Sequence, residues 1–502
     1  MISANVKDNI DQDLEPAVEI NLNTVKERAV KGIVFLTGRT FFLQIISLVA
    51  VSFLTIFLSP SELGIFWIVS AVVNFLAYFS DIGLAAALIQ KKENPTETDL
   101  KTTFTIQQLL VGILLIVLYI GMPFFTKYYS LDRSGQYLLY ALGISLFMSS
   151  LKTIPSTLLE RELEFEKIVF PQILENIVFN VVAVVLAWKG YGIKAYTVAV
   201  LLRGLVGLIV IYILKPWKPG LAFSRKSFKK LISFGLPYQI NTLLASLKDD
   251  GMTAFLGGIL GSAGMGYLGW AQKYGYIPLR FFMDPVTKVT FPAFSRMQTD
   301  KKELERTVTR SILFICILVF PSLVGLIILV PMLIQLIPNY SKWLPALTAL
   351  SLIGINTIFA SVTTQLTNLL NAIGKIKITF RLMIMWTVLT WIFIPVLAKR
   401  FGVNGAALGY SLVGASSVVA IIMVKKIVNF SLVESALKPG LAALIMGLLL
   451  KFISKYLPVS LLSLVLLVGL GIICYAGAAY LLIGPSILVD AKKAGKTFLK
   501  RK

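Results

Sequence analysis

Apolar runs of about 20 residues recur along almost the whole chain, each broken by a short polar or charged segment, the pattern of serial membrane-spanning helices. Fourteen such segments are predicted: one that begins after Lys31 and is closed by Pro60, then 64–90, 104–125, 137–159, 168–188, 193–214, 231–257, 264–296, 309–337, 344–370, 378–397, 402–424, 437–452 and 459–483. A transmembrane barrel would instead alternate over segments of about ten residues. One segment breaks the apolar rule. Residues 264–296 carry Lys273, Arg280, Asp284 and Lys288 together with Pro278, Pro285 and Pro292. A charged side chain at the centre of a spanning helix costs roughly 2.5 to 3.5 kcal/mol, so this segment is expected to face other helices or a water-filled pathway.

The same segment has an echo 203 residues upstream, where Trp67, Phe79, Ser80 and Asp81 align with Trp270, Phe282, Met283 and Asp284. A second block, FEKIVF ending at Phe170, aligns with KIKITF ending at Phe380 at an offset of 210. Both place segment n on segment n+6. Six segments per half is an even number, so the halves insert in the same orientation, as a parallel repeat about an axis along the membrane normal. The expected fold class is an all-α polytopic membrane protein with about 14 transmembrane helices, in two six-helix lobes related by that pseudo-two-fold plus two C-terminal helices. The expected divisions are a tail 1–30, an N-lobe 31–214, a basic linker 215–230, a C-lobe 231–424, the last two helices 425–489 and a basic tail 490–502.

Composition agrees: 57% of the 502 residues are hydrophobic and 15% charged. The formal charge of +23 does not point to nucleic acid, because the basic residues follow the positive-inside rule. Thirty-two Lys and Arg fall in the tails and even-numbered breaks, nine in the odd-numbered breaks, and seven within spans. Both termini are therefore expected in the cytoplasm. The seven are Arg39, Lys152, Arg203, Lys248, Lys273, Arg280 and Lys288. The chain has no histidine, which removes His-dependent zinc sites, serine triads and His proton relays. Its two cysteines are too few for a disulfide framework. The first thirty residues, with Asp8, Asp11, Asp13, Glu15 and Glu19, lack the apolar core of a signal peptide. No nucleophile constellation or phosphate-cradling glycine loop is found, so neither an enzyme nor a resident cofactor is expected.

The segments GIFWIVSAVVNFLAYFSDIGLAAALIQKK, FGLPYQINTLL, PVTKVTFPAFSRMQ, LLNAIGKIKITF and FGVNGAALGYSL resemble the polysaccharide-biosynthesis flippases of the Wzx type, most of all their colanic-acid exporter branch. That family belongs to the multidrug, oligosaccharidyl-lipid and polysaccharide exporter superfamily. The resemblance covers about residues 25 to 430 and implies an inner-membrane flippase for undecaprenyl-pyrophosphate-linked repeat units. It also implies partners: the lipid-linked oligosaccharide, membrane lipid, and a polysaccharide polymerase with its chain-length regulator.

An anionic pyrophosphate head favours cations in a hydrated cleft. Lys273, Arg280 and Arg203 are the first candidates, with Lys248 and Arg39 beside them. Lys273 and Arg280 are seven residues apart, on nearly one helix face. The alternative is an internal salt bridge of either with Asp249 or Asp284. Asp249, Asp250, Asp284, Asp81 and Glu175 are candidates for coupling to a proton or sodium gradient, although Asp81 and Asp284 read first as structural helix ends. Trp67, Trp270, Tyr267, Tyr274 and Tyr276 could stack on sugars or form interfacial belts. Competing readings are a lipid II or drug exporter of the same superfamily and a polytopic polysaccharide polymerase or ligase.

Overall fold

The computed structural model of the chain describes residues 22–484, with the side chains of 22–37, 237, 238 and 240–242 excepted. Most of the expected tails, 1–30 and 490–502, lies outside the described residues. The N-terminal half is built from α1 (Leu22–Phe57), α2 (Pro60–Ala77), α3 (Leu84–Gln90), α4 (Glu97–Ile120), α5 (Met122–Tyr129), α6 (Arg133–Leu151), α7 (Thr153–Arg161), α8 (Phe165–Trp188) and α9 (Lys194–Leu214). The C-terminal half contains α10 (Arg225–Ser246), α11 (Met252–Arg296), α12 (Lys301–Leu336), α13 (Leu347–Ala372), α14 (Ile376–Ala415), α15 (Val418–Lys425), α16 (Lys438–Ile453) and α17 (Leu461–Ile483).

Among the described residues ten helices are long and apolar enough to cross a membrane, or eleven if α6 and α7, bent by 41°, form one span. The expected fourteen differ from this by dividing Ile376–Lys425 at Gly402 and by including the charged stretch on either side of Gly261. Both glycines are left-handed, with φ of 65° at Gly261 and 57° at Gly402, and each marks a break inside a nominally continuous helix. Only a residue without a Cβ adopts that backbone readily. Gly261 thus supplies the turn between the expected segments 231–257 and 264–296.

Local chemistry sets several ends. Ser59 and Glu62 form a reciprocal capping box with Pro60 in the first turn of α2, and Thr96 and Asp99 do the same for α4. The expected single helix 64–90 is instead split after Ala77. Ile82 and Gly83 take positive φ, and the Asp81 carboxylate accepts the Ala85 N–H at 3.2 Å. Its counterpart in the second copy, around Asp284, stays helical within α11. The two copies therefore share a sequence pattern but not a backbone. A further echo lies in the connections. Ala222 and Ser224 of the 215–224 strap donate backbone N–H groups to Thr105 and Thr102 of α4. Ser431 and Asn429, after α15, donate to Thr309 and Glu305 of α12. Trp217, buried edge-to-face against Phe104, holds the first strap on α4. Residues 215–224 of the expected basic linker are therefore docked, non-helical chain.

The two halves meet along α2 and α11. At the Pro60 end their backbones touch: a Cβ on Gly64 would lie 1.7 Å from the Ser262 carbonyl oxygen, and one on Gly266 would lie 1.9 Å from that of Pro60. Beside this contact Trp270 stacks on Trp343 and donates to the Tyr340 hydroxyl at 3.2 Å, while Thr55 lies 3.0 Å from the same hydroxyl. Lys342 donates to the carbonyls of Ile56 and Leu58, completing the C-terminus of α1 where orphan acceptors and the helix dipole favour a cation. The other end closes differently. A Cβ on Gly83 would lie 2.2 Å from the Gly235 carbonyl oxygen, Tyr78 and Gln239 exchange hydrogen bonds, and Lys230 pairs with Glu93 at 2.9 Å. The Lys230 hydrogen bond, helped by the charges of Lys230 and Lys91, holds the Glu93 carboxyl below its ordinary range, so this tie is present at neutral pH and is lost as pH falls through that lowered value.

Because the Gly64 contact is backbone against backbone, Gly64→Ala must push the helices apart, at a cost of about 1 to 3 kcal/mol. Thermal unfolding in detergent should show a lower midpoint for Gly64→Ala and none of that shift for Gly477→Ala, whose added Cβ meets nothing within 4 Å. Equal midpoints for Gly64→Ala and the wild type would contradict the packing described.

Candidate functional site

Between the two closed ends lie three neighbouring cavities, of which the central one is where the halves part. The central one, about 690 Å³, is lined by Arg39 and Gln44 of α1, Trp67, Ser70 and Asn74 of α2, Asp250, and Lys273, Tyr276 and Arg280 of α11. A second, about 560 Å³, lies in the N-terminal half and shares Arg39 and Leu43 with the first; it holds Lys152, Glu160, Glu175, Asn176 and Arg203. A third, about 650 Å³, lies in the C-terminal half and shares Thr253, Gln272, Tyr276 and Arg280 with the first. Arg39 and Arg280 thus stand at the two boundaries of the central chamber. A further cavity between α12, α16 and α17 has an almost entirely apolar lining and does not suit a polar head.

The expected cations take different positions. Lys273 and Arg280 project from one face of α11 and, among the described residues, neither forms an ion pair; the alternative of a bridge to Asp249 or Asp284 is not present. Arg39 donates to the Gln172 side chain, and its Nε is buried without a partner. Arg203 lies in the second chamber, whose lining it shares with Arg39 but not with Lys273 or Arg280. It lies 3.7 Å from Glu175 and 5.7 Å above the Phe179 ring, with half of its side chain exposed. Glu175 also takes Lys152 at 2.6 Å and occupies a slot that exists because residue 207 is glycine, where a Cβ would come within 1.8 Å of its oxygen. Lys248 is engaged by its neighbour Asp249.

The carboxylates separate in the same way. Asp81 is spent on the start of α3. Asp284 accepts from Gln44 at 3.1 Å and ties α1 to α11. Asp249 and Asp250 lie on a π-helical turn, Leu247–Gly251, where Asp250 bonds Asn74 of α2 and faces the central cavity. Such bulges widen a helix by one residue and often aim functional side chains. Of the aromatics, Trp270 is only 2% exposed and serves the core, whereas Trp67 and Tyr276 line the cavity. Sequence reasoning passed over Gln44, Gln272, Asn356, Trp386 and Tyr410. The amides were visible as polar residues in apolar spans; the two aromatics were not distinguishable from core.

Residues 53–348 match the polysaccharide biosynthesis protein family. The chain belongs to that family. It is 23% identical to the succinoglycan biosynthesis transport protein ExoT of Rhizobium meliloti over 87% of this chain and 88% of that one. It is 25% identical to the lipopolysaccharide biosynthesis protein WzxC of Escherichia coli over 78% and 79%. The match to the teichuronic acid biosynthesis protein TuaB of Bacillus subtilis, at 24%, takes in 55% of this chain and 57% of that protein. Among solved structures, the lipid II flippase MurJ in an inward closed conformation superposes with a TM-score of 0.75 at 18% identity, over 91% of this chain and all of MurJ. The protein is thus a multi-pass membrane protein with the fold seen in MurJ.

Two unpaired cations should give the central cavity a positive potential. At 10 Å and an effective dielectric of 20, each contributes about 1.7 kcal/mol to an anion before screening. With Cys316 and Cys474 replaced by alanine, Ser70→Cys should react at least about tenfold faster with an anionic methanethiosulfonate than with a cationic one. Adding Lys273→Gln and Arg280→Gln should remove most of that preference. A preference that survives both would place the field elsewhere.

Proposed function

We propose that this protein is a flippase that carries undecaprenyl-pyrophosphate-linked oligosaccharide units from the cytoplasmic to the periplasmic leaflet of a bacterial inner membrane, for exopolysaccharide or O-antigen assembly. The observation that carries the reading is the pair Lys273 and Arg280, without acidic partners, on one face of α11 in the cavity between the halves. Such a pair is costly in a bilayer unless water or an anion compensates it, and a pyrophosphate head supplies that anion. Arg280 offers a bidentate fork and Lys273 a point charge. The names of the relatives support the substrate class, since ExoT is a succinoglycan biosynthesis transport protein and WzxC a lipopolysaccharide biosynthesis protein.

The apolar tail needs no cavity, because it can remain in lipid while the head crosses. Here α1 meets α11 at few points, among them Phe41 against Phe281 and Gln44 on Asp284, which leaves a thin wall beside Arg280 for a tail to pass. Alternating access then requires the Gly64/Gly266 contact and the Gly83/Gly235 contact to open in turn. Asp250, bonded to Asn74 across the interface, is the carboxylate best placed to couple a proton or sodium gradient to that exchange. Both termini are in the cytoplasm on the charge pattern, a polymerase and chain-length regulator act downstream, and the chain itself is not an enzyme.

Lys273→Glu and Arg280→Glu should each lower export of polysaccharide more than tenfold in a strain deleted for the gene, with membrane expression unchanged. Export at wild-type level in both variants would remove the pair from the pathway and with it the proposal.

A further inference from the structure

We infer that the C-terminal chamber is a sugar-binding subsite, which takes the neutral sugars next to the pyrophosphate while the pyrophosphate itself stays at Lys273 and Arg280. The inference rests on the flippase reading and adds a place for the glycan. The chamber joins the central cavity through Arg280, Gln272 and Tyr276, so one ligand can occupy both. Its character is different. Lys248 and Arg280 balance Asp249 and Asp284, whereas in the central cavity Arg39, Lys273 and Arg280 outweigh Asp250. A space that is polar but balanced in charge does not select an anion.

Its walls carry the two elements that sugars require. Tyr276, Trp386 and Tyr410 present aromatic surface suited to the apolar C–H faces of pyranose rings. Polar groups stand between them. Asp249, with 68% of its side chain exposed, can accept from sugar hydroxyls, and Thr364 adds an exposed hydroxyl. The deciding group is Trp386 on α14, whose ring lines the chamber and whose indole Nε1, among the described residues, is enclosed without a hydrogen-bond partner. A buried N–H left unmet is costly, and such groups are ordinarily satisfied. A turn of the ring toward the chamber brings this N–H to a hydroxyl of a bound sugar. At about 650 Å³ the chamber is in the range of small-molecule pockets.

Trp391, five residues further along α14, provides the control. Its Nε1 is also buried and unpartnered, but its ring packs on Phe255 and does not line the chamber. The test uses the full chain in lipid nanodiscs, titrated with undecaprenyl pyrophosphate and with the same lipid carrying a neutral disaccharide of N-acetylglucosamine and galactose. Wild type should bind the glycosylated lipid at least about tenfold more tightly. Trp386→Phe keeps the ring and removes one hydrogen bond, so that preference should fall about three- to tenfold. Trp386→Leu, which also removes the ring face, should lose it further, and Trp391→Phe should leave it unchanged. The subsite is overturned if wild type binds the bare lipid but shows no preference, if Trp386→Phe keeps the full preference, or if Trp391→Phe loses as much. If wild type binds neither lipid, the flippase reading falls and the subsite with it.

Discussion

A cation inside a bilayer needs a carboxylate, water or a ligand, and among the described residues Lys273 and Arg280 have no carboxylate. Much of the architecture follows from that deficit. The arm of α11 that bears them must face a hydrated space, so it cannot pack on α2 along its whole length. It touches α2 at the Gly64/Gly266 crossing, where the absence of side chains allows backbone contact, and the central cavity lies between Asn74 of α2 and Lys273 and Arg280. Several other charges of the interior are compensated within the protein, Glu175 by Lys152 and Arg203 and Lys248 by Asp249, and Asp284 accepts a hydrogen bond from the Gln44 amide, whereas Arg39, which donates to the Gln172 side chain, adds to the positive charge of the central cavity. What remains uncompensated is where the proposed function places the substrate anion.

The closures at the two ends are built from different chemistry. At the Pro60 end an apolar and aromatic cluster around Trp270, Trp343 and Tyr340 reinforces the glycine crossing. At the Gly83 end the ties are a glycine contact, the Tyr78/Gln239 exchange and the exposed Lys230–Glu93 pair. Exposed ion pairs contribute little, typically 0 to 1 kcal/mol, whereas buried aromatic packing contributes more. The Gly83 end is therefore the easier to open.

Much of the helical order was legible because apolar runs of spanning length survive any tertiary arrangement. The pathway helix was legible for the opposite reason, since Lys273 and Arg280 contradict their surroundings. The break after Ala77 was not, because 64–90 reads as one apolar run and only the left-handed Ile82 and Gly83 reveal the split. Nor was the role of Arg203: a cation at mid-span looks alike in sequence whether it faces a substrate or Glu175, and the slot beside Gly207 exists only in three dimensions. Asp249 and Asp250, adjacent in sequence, diverge because the π turn sends one toward Lys248 and the other toward Asn74.

The most direct test is the affinity of the purified protein for undecaprenyl pyrophosphate relative to uncharged undecaprenol, compared between wild type and a Lys273→Gln, Arg280→Gln double variant. Wild type should favour the pyrophosphate lipid strongly and the double variant should lose that preference while binding undecaprenol as before. An undiminished preference in the double variant would contradict the claim that these two cations hold the head group.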